Sequence, residues 1–188
     1  PGEVIPGSLV ANSVIYSARL DGSDLRVVAD GLRNPFGIGF CPCGALYVLD
    51  QGYDARGSRA VSNSPDSMWR IVDGGWYGFP DFVSGRPITC PEFQTPGMPP
   101  PEFVMGEHPP LAGQPVLRLP PHSASTKFAF STNPSFGHVG EAFIAQLGSG
   151  GPSTGGVIPA GYRVVRANLR SGEVRDFAAS MDPGPGGK

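Results

Sequence analysis

The chain has 188 residues, 39% of them hydrophobic, which is enough for one sizeable domain. Its net charge of −2 excludes the basic surface that nucleic-acid binders use, and no run approaches the roughly 18 apolar residues of a membrane span. The 28 glycines and 22 prolines, set among runs rich in Val, Ile, Tyr and Phe, predict short strands joined by tight turns.

The first predicted elements are hairpins. Residues 14–29, VIYSARLDGSDLRVVA, form two β-type runs around the turn at 21–23. Residues 37–40 and 45–50 form a second hairpin around a Pro-Cys-Gly turn. The stretch SMWRIVDGGWYGFP then supplies a third strand, which two adjacent glycines interrupt.

A similar pattern returns later in the chain. Residues 128–131 and 142–146 predict one hairpin, and residues 162–178 predict another around a Ser-Gly-Glu turn. Between the two groups, residues 81–125 are rich in proline and keep neither a period of 2 nor one of 3.6. We expect an extended strap there, and no helix has convincing start and stop signals.

The order of these hairpins predicts an all-β chain that is a partial β-propeller, because an inner plus an outer hairpin makes one four-stranded antiparallel blade. About two and a half blades are expected, all belonging to one propeller domain. The segments are 1–30 (outer hairpin of a blade), 31–80 (next blade), 81–125 (Pro-rich insertion), 126–180 (further blade) and 181–188 (tail).

An open arc of this kind leaves sheet edges uncovered. The missing blades are therefore expected from the rest of a longer protein or from another copy of the chain. No basic-then-apolar leader starts the sequence, so no signal peptide is expected within these residues.

Three cysteines are present, Cys41, Cys43 and Cys90, and this small odd number does not describe a disulfide framework. Cys41 and Cys43 flank Pro42 and offer two ligands to a metal, but no partner motif completes such a site. The favoured interpretation is a turn in which Cys43 takes a place usual for Asp or Asn.

Several stretches together resemble a known family. GLRNPFGIGF, LYVLDQGYDARGSR and NSPDSMWRIVDGGWYGFPDF are similar to the glucose/sorbosone dehydrogenase family of six-bladed propellers. PPHSAST, FGHVGEAFIAQLGS and GYRVVRA are similar to its sorbosone-dehydrogenase-like branch. The best-understood members oxidise aldose sugars with pyrroloquinoline quinone (PQQ) and calcium. The resemblance implies a periplasmic or secreted quinone-dependent dehydrogenase whose small-molecule substrate is a sugar or aldehyde.

The resemblance also assigns residues to the quinone. Arg33 would be catalytic and stabilise charge on the reduced ring, Asn34 would orient the ring, and Gln51 would contact the cofactor as well. Arginine suits this role because its planar, permanently charged fork matches paired oxygens. The residues alone allow another interpretation, in which Arg33 pairs with Asp30 or Asp50 and Asn34 caps a turn.

The family's calcium loop matches residues 50–54, DQGYD, and implies that the backbone carbonyls of Gly52 and Tyr53 hold the ion. Oxygen ligands on an irregular loop suit calcium. Asp66 would add negative charge there, or lock the loop by accepting backbone N–H groups. Alternatively, the carboxylates of this region form a solvated network with Arg56 and Arg59.

His122 precedes an inner strand and is a further candidate for binding the cofactor. A hydrolase using His122 and Ser123 lacks a nucleophile elbow, so that pair is weak evidence. Trp69 and Trp76 are interpreted as core residues.

Two features depart from the family pattern. The histidine that serves as general base belongs to an earlier blade and is absent from this chain. Where glucose-oxidising members carry a lysine, residues 145–153 read AQLGSGGPS. The alternative function is therefore a non-catalytic, calcium-stabilised propeller binding module, with a lactonase-like hydrolase as a remote third possibility.

Overall fold

Short antiparallel strands build nearly all the regular structure of the chain. The computed structural model describes residues 12–149 and 160–181. Residues 150–153 of the lysine-free stretch, and all of the predicted tail except residue 181, lie outside the described residues. In chain order the strands are β1 (Ile15–Ser17), β2 (Arg26–Asp30), β3 (Pro35–Phe40), β4 (Leu46–Asp50), β5 (Asp66–Arg70), β6 (Gly75–Trp76), β7 (Phe82–Val83), β8 (Arg86–Pro87), β9 (Leu117–Leu119), β10 (Ser125–Phe130), β11 (Ala142–Gln146), β12 (Arg163–Asn168) and β13 (Glu173–Ala179).

The described residues form two four-stranded sheets, one three-stranded sheet and one two-stranded sheet. The middle sheet has the order β3-β4-β5-β9, and the last sheet has the order β10-β11-β12-β13. Before them, β1 and β2 pair as a hairpin, which β6 joins in parallel. The prediction of an all-β arc of about two and a half blades is confirmed. The regular structure outside the strands is a single 3₁₀ turn at Pro91–Phe93 within the described ranges.

The outer strand of the middle blade comes from an unexpected place. The sequence predicted residues 81–125 as a strap without periodicity, but Leu117–Leu119 at its end pairs with β5, with Asp66 opposite Leu119. Residues 82–87 also form a small hairpin, β7-β8. The three-residue strand escaped detection because prolines stand close on both sides of it and it is too short to show a period.

The hydrophobic core lies between the sheets. Strands β4, β5, β9, β11 and β12 contribute the apolar side chains that meet between the middle and last blades. The buried set is Leu49, Met68, Leu117, Leu119, Ala142, Ile144, Val165 and Ala167. A second cluster joins the first hairpin to the middle blade and includes Trp69, as predicted for this tryptophan. Trp76 is also buried. Because the blades pack face to face, their innermost strands β3 and β10 lie side by side.

Asp81 fastens the strap to the middle of the arc. Its carboxylate is fully buried and accepts the backbone N–H groups of Val104 and Met105, each at 2.8 Å. It also lies 3.0 Å from Nε2 of His108 and pairs with Arg59. Burial raises the pKa of Asp81, but these donors outweigh burial and hold its pKa below the ordinary value.

Cys41 and Cys43 form a disulfide, which the sequence analysis did not predict. The bridge closes the β3–β4 turn, where Gly44 has a φ of +82°. The turn interpretation is therefore right about the backbone, while the ligand interpretation is wrong because both sulfurs are used in the covalent bond. Cys90 is the free cysteine.

Replacing Asp81 by Ala should detach the strap. The change leaves Arg59 and two strap amides without their buried acceptor, so we expect the free energy of unfolding of the full-length protein to fall by about 3–5 kcal/mol. Urea denaturation measures the loss, and hydrogen exchange at residues 104 and 105 locates it.

Asp73→Ala is the control, because Asp73 forms an exposed pair with Arg26. Its loss should cost about 1 kcal/mol or less. Unchanged exchange of the strap amides in Asp81→Ala would contradict the proposed fastening.

Candidate functional site

The site residues come together because β3 and β4 are antiparallel. Arg33 and Asn34 directly precede β3, and the loop 50–54 begins at the last residue of β4. Both segments therefore lie at the same end of the strands of the middle blade. Gly31 shapes the approach to β3: its φ is +70°, and a Cβ there would lie 2.4 Å from the Trp76 ring. Only glycine fits this bend without displacing the indole.

The Arg33 side chain crosses to the loop 50–54. Its Nη1 donates to the carbonyl oxygen of Gly52 at 2.5 Å and lies 3.4 Å from that of Gln51. The guanidinium carbon is 5.0 Å from the centre of the Tyr53 ring, and Nη2 is 3.8 Å from the Asp54 carboxylate. Arg33 thus serves as the cation on which these backbone and side-chain oxygens converge.

Asp50 fixes the backbone beneath Arg33. Its carboxylate accepts the N–H groups of Asn34 (2.6 Å) and Arg33 (3.2 Å). The alternative pairing of Arg33 with Asp50 is thus present through the backbone and not through the guanidinium. Burial raises the pKa of Asp50 to about 6, although the two N–H groups and the Arg33 charge act in the opposite direction.

Gln51 connects the site to the next blade. Its side-chain oxygen accepts the Asn34 amide at 2.8 Å, and its Nε2 lies 3.4 Å from the carbonyl oxygen of Ser125 at the start of β10. The three predicted quinone-contacting residues Arg33, Asn34 and Gln51 therefore form one contiguous polar rim.

Asp66 closes the seam between the two blades. One carboxylate oxygen accepts the Gly52 N–H at 2.9 Å, and the other accepts the Ser125 N–H at 2.7 Å and the Ser123 hydroxyl at 2.9 Å. Asp66 is 2% exposed. It locks the loop through a backbone N–H, as one of the two interpretations predicted, and its oxygens already have donors.

Ser64 is a site residue that the sequence analysis missed. Its hydroxyl accepts the Tyr53 N–H at 2.6 Å, and a Cβ on Gly52 would lie 2.4 Å from the Ser64 carbonyl oxygen. Gly52 is thus required by close backbone approach. The turn-forming run SNSP just before Asp66 was the available signal.

A small hollow of about 20 Å³ lies behind the rim and is lined by Arg33, Asp50–Tyr53 and Trp69, among others. It holds roughly one water molecule and no larger ligand. The buried Nε1 of Trp69, one of the lining residues, has no hydrogen-bond partner among the described residues.

His122 lies outside this hollow, at the turn that precedes β10, with a φ of +60°. It stands three residues before β10, whereas Arg33 and Asn34 stand two residues and one residue before β3. The neighbouring Ser123 is fully buried and donates to Asp66. Because its hydroxyl is directed to a carboxylate, Ser123 does not form a nucleophile–histidine pair.

The carbonyl oxygens of the loop 50–54 suit a cation. Those of Gln51 and Gly52 are directed at the Arg33 nitrogen, and the assignment of the Gly52 and Tyr53 carbonyls to calcium stays a prediction. Across residues 12–149 and 160–181, no group of three or more His, Cys, Asp or Glu side chains is arranged to hold a metal ion. A divalent ion here would thus depend mainly on carbonyl oxygens and water.

Solved structures of sugar oxidoreductases share this fold. A calcium-containing family AA12 carbohydrate-active enzyme from Trichoderma reesei aligns with a TM-score of 0.53 and 20% identity, over 85% of this chain and 42% of its own. A glucose dehydrogenase aligns at 0.50 and 22%, over 86% and 38%. A PQQ-bound aldose sugar dehydrogenase from Streptomyces coelicolor aligns at 0.48 and 17%, over 85% and 34%.

These likenesses show the fold: the chain is an arc of the β-propeller on which such sugar dehydrogenases are built. The chain spans less than half the length of each of the three proteins. No protein-family model matches it, and no curated protein does. In the described part of the chain, no helix is long and apolar enough to cross a membrane.

Asp66→Asn should weaken the seam between the blades. An amide nitrogen would face N–H and O–H donors where a carboxylate oxygen now accepts, so we expect the free energy of unfolding to fall by about 2–4 kcal/mol. Chemical denaturation of the full-length protein measures this.

The matched change Ser123→Ala removes one donor only and should cost about 1 kcal/mol. Equal losses in Asp66→Asn and Ser123→Ala would contradict the role assigned to the carboxylate.

The raised pKa of Asp50 predicts that the free energy of unfolding depends on pH in the acidic range. Its folded-state pKa of about 6 lies above the ordinary value of 3.8, so the folded protein binds this proton more tightly than the unfolded chain does. The contribution of Asp50 to the free energy of unfolding is therefore greatest below about pH 4 and is lost as the pH rises to about 6. Asp50→Asn should flatten this slope when unfolding is measured in chelator at each pH.

The exposed change Asp73→Asn is the control and should leave the slope as it is. An identical slope in Asp50→Asn would show that another group titrates.

Proposed function

We propose that the full-length protein is an oxidoreductase that removes hydride from an aldose or a related sugar aldehyde and passes it to PQQ, with calcium in the same site. The observation that carries the proposal is the contiguous rim of Arg33, Asn34 and Gln51, in which Arg33 also donates to the Gly52 carbonyl of the loop 50–54. This rim lies at the start of an innermost strand, and the innermost strands of a propeller surround its central channel. The sequence resemblance supports the same assignment.

The rim has the donor chemistry that a quinone needs. Bound PQQ would supply the two-electron acceptor, while the protein supplies binding, orientation and charge. Arg33 would provide a permanent positive charge next to the negative charge that develops on the quinone, and a fixed cation placed in this way stabilises a transition state. Asn34 and Gln51 hold each other in place and leave further amide hydrogens to donate to a ligand.

In this proposal the described residues bind the electron acceptor. His108 is bound to Asp81 beneath the strap, and His122 stands at the next blade. The proton from the sugar hydroxyl is therefore assigned to a residue of another blade. We also place the protein outside the cytoplasm, which the Cys41–Cys43 disulfide supports because such bonds persist in oxidising compartments.

A second function is favoured by one observation. Arg33 is engaged with the Gly52 carbonyl and is not free at the rim. A propeller whose arginine stays there would be a rigid binding module, since fold alone does not fix function. In that module the loop 50–54 would serve stability only.

Reconstitution of the full-length protein with PQQ and calcium tests the proposal. We expect uptake of the quinone, seen by its absorbance, and dye-coupled oxidation of aldoses. Arg33→Ala should lower kcat by about 10²–10³, because it removes a charge that acts on the transition state.

Arg56→Ala is the control, since Arg56 pairs with Asp54 but has no contact with the carbonyls of the loop. Its kcat should stay within a few-fold of the unmodified protein. Quinone uptake without aldose oxidation would favour another substrate, and absence of uptake would favour the binding module.

A further inference from the structure

The carbonyl oxygen of Gly52 is a possible ligand for two cations, the Arg33 guanidinium and calcium. The Gly52 carbonyl belongs to the loop that the proposed function assigns to calcium, yet it accepts a hydrogen bond from Arg33 Nη1 at 2.5 Å. The Gln51 carbonyl lies 3.4 Å from the same nitrogen. The side chain of Arg33 is only about a quarter exposed, so this contact is part of the packed structure.

The surroundings of the guanidinium are those of a cation site. The Tyr53 ring lies 5.0 Å below it, and the Asp54 carboxylate is 3.8 Å from Nη2. Aromatic faces, carboxylates and carbonyl oxygens all stabilise positive charge. The loop itself is held by Asp66 and Ser64 through the N–H groups of Gly52 and Tyr53, so its carbonyls remain directed at one place whichever cation is present.

A divalent ion and the guanidinium do not share this place. A calcium ion bound to the Gly52 oxygen would lie within a few ångströms of the Arg33 charge, and like charges repel strongly where water is scarce. Calcium also binds oxygen at about 2.3–2.6 Å, which occupies the same approach to the carbonyl.

We propose that Arg33 is the resident cation of the loop 50–54 and that calcium and Arg33 bind the Gly52 carbonyl in mutual exclusion. This rests on the proposed function for the identity of the metal. Binding of calcium releases the guanidinium from the loop and makes it available at the rim beside Asn34. The positive charge of Arg33 would therefore be positioned to stabilise a reduced quinone only when calcium is bound.

Calcium titration of chelator-treated full-length protein by calorimetry tests the proposal without quinone or sugar. Arg33→Ala removes the competing cation, so its calcium affinity should rise by about tenfold or more over the unmodified protein. In a thermal-shift assay Arg33→Ala should melt lower than the unmodified protein in chelator. Calcium should then raise its melting temperature by the larger increment.

Two further variants separate competition from simple charge. Arg56→Ala removes a positive charge near Asp54 without touching the carbonyls, and its affinity should change by about threefold or less. Arg33→Gln keeps a neutral amide donor and is the variant to use should Arg33→Ala not fold. It should also bind calcium more tightly than the unmodified protein.

The outcomes are distinct. Equal or weaker calcium binding in the Arg33 variants overturns the proposal, as does a lack of calcium binding by every variant at millimolar concentration. An inactive protein whose Arg33 variants gain calcium affinity contradicts the proposed function and supports mutual exclusion. An active protein with unchanged affinity contradicts mutual exclusion alone.

Discussion

The carboxylate of Asp66 is the constraint on which the site depends. It is buried at the seam between two blades, where its oxygens accept hydrogen bonds from the loop after β4 and from the first residue of β10. Neither segment has a regular partner for these N–H groups, and an unpaired buried donor is costly. One side chain therefore sets the conformation of the loop 50–54 and its position relative to the neighbouring blade.

Polar and apolar contacts have different roles along this seam between the two blades. Apart from Asp66, the blades meet through apolar side chains such as Leu49 and Ile144. Their burial stabilises the packing of the blades but does not fix the orientation of individual groups. The hydrogen bonds of Asp66 and Gln51 to the neighbouring blade fix the orientation of the groups at the site. The carbonyl of Gly52 can face Arg33 because its own N–H is fixed from behind by Asp66. Chemistry at the rim is thus an outcome of how two blades are joined.

Local patterns in the sequence predicted most of the strands. The hairpins at residues 14–29 and 162–178 follow from glycine turns between β-type runs, and both are present. The bounds of β11 were also predicted, and in the structure Ala142, Ile144 and Gln146 alternate toward the core. The strand Leu117–Leu119 was not, since three residues next to prolines carry no period.

The chemistry of the site was harder to predict than its location. The residue types near Arg33 were evident, but its partner was not. A flexible guanidinium chooses among Asp30, Asp50, Asp54 and several carbonyls by tertiary geometry alone, and in the structure Gly52 is the nearest. The disulfide was missed for a similar reason, because Cys-Pro-Cys permits a turn, a ligand pair or a bond with equal ease.

The late origin of β9 has a consequence for how the chain reaches this state. Strand β5 carries Asp66, yet its outer neighbour arrives only after the whole of the strap has been synthesised. Until then β5 has an open edge able to recruit strands from other molecules. Pairing of such high contact order is slow, so the nascent middle blade has a window in which aggregation competes with its completion.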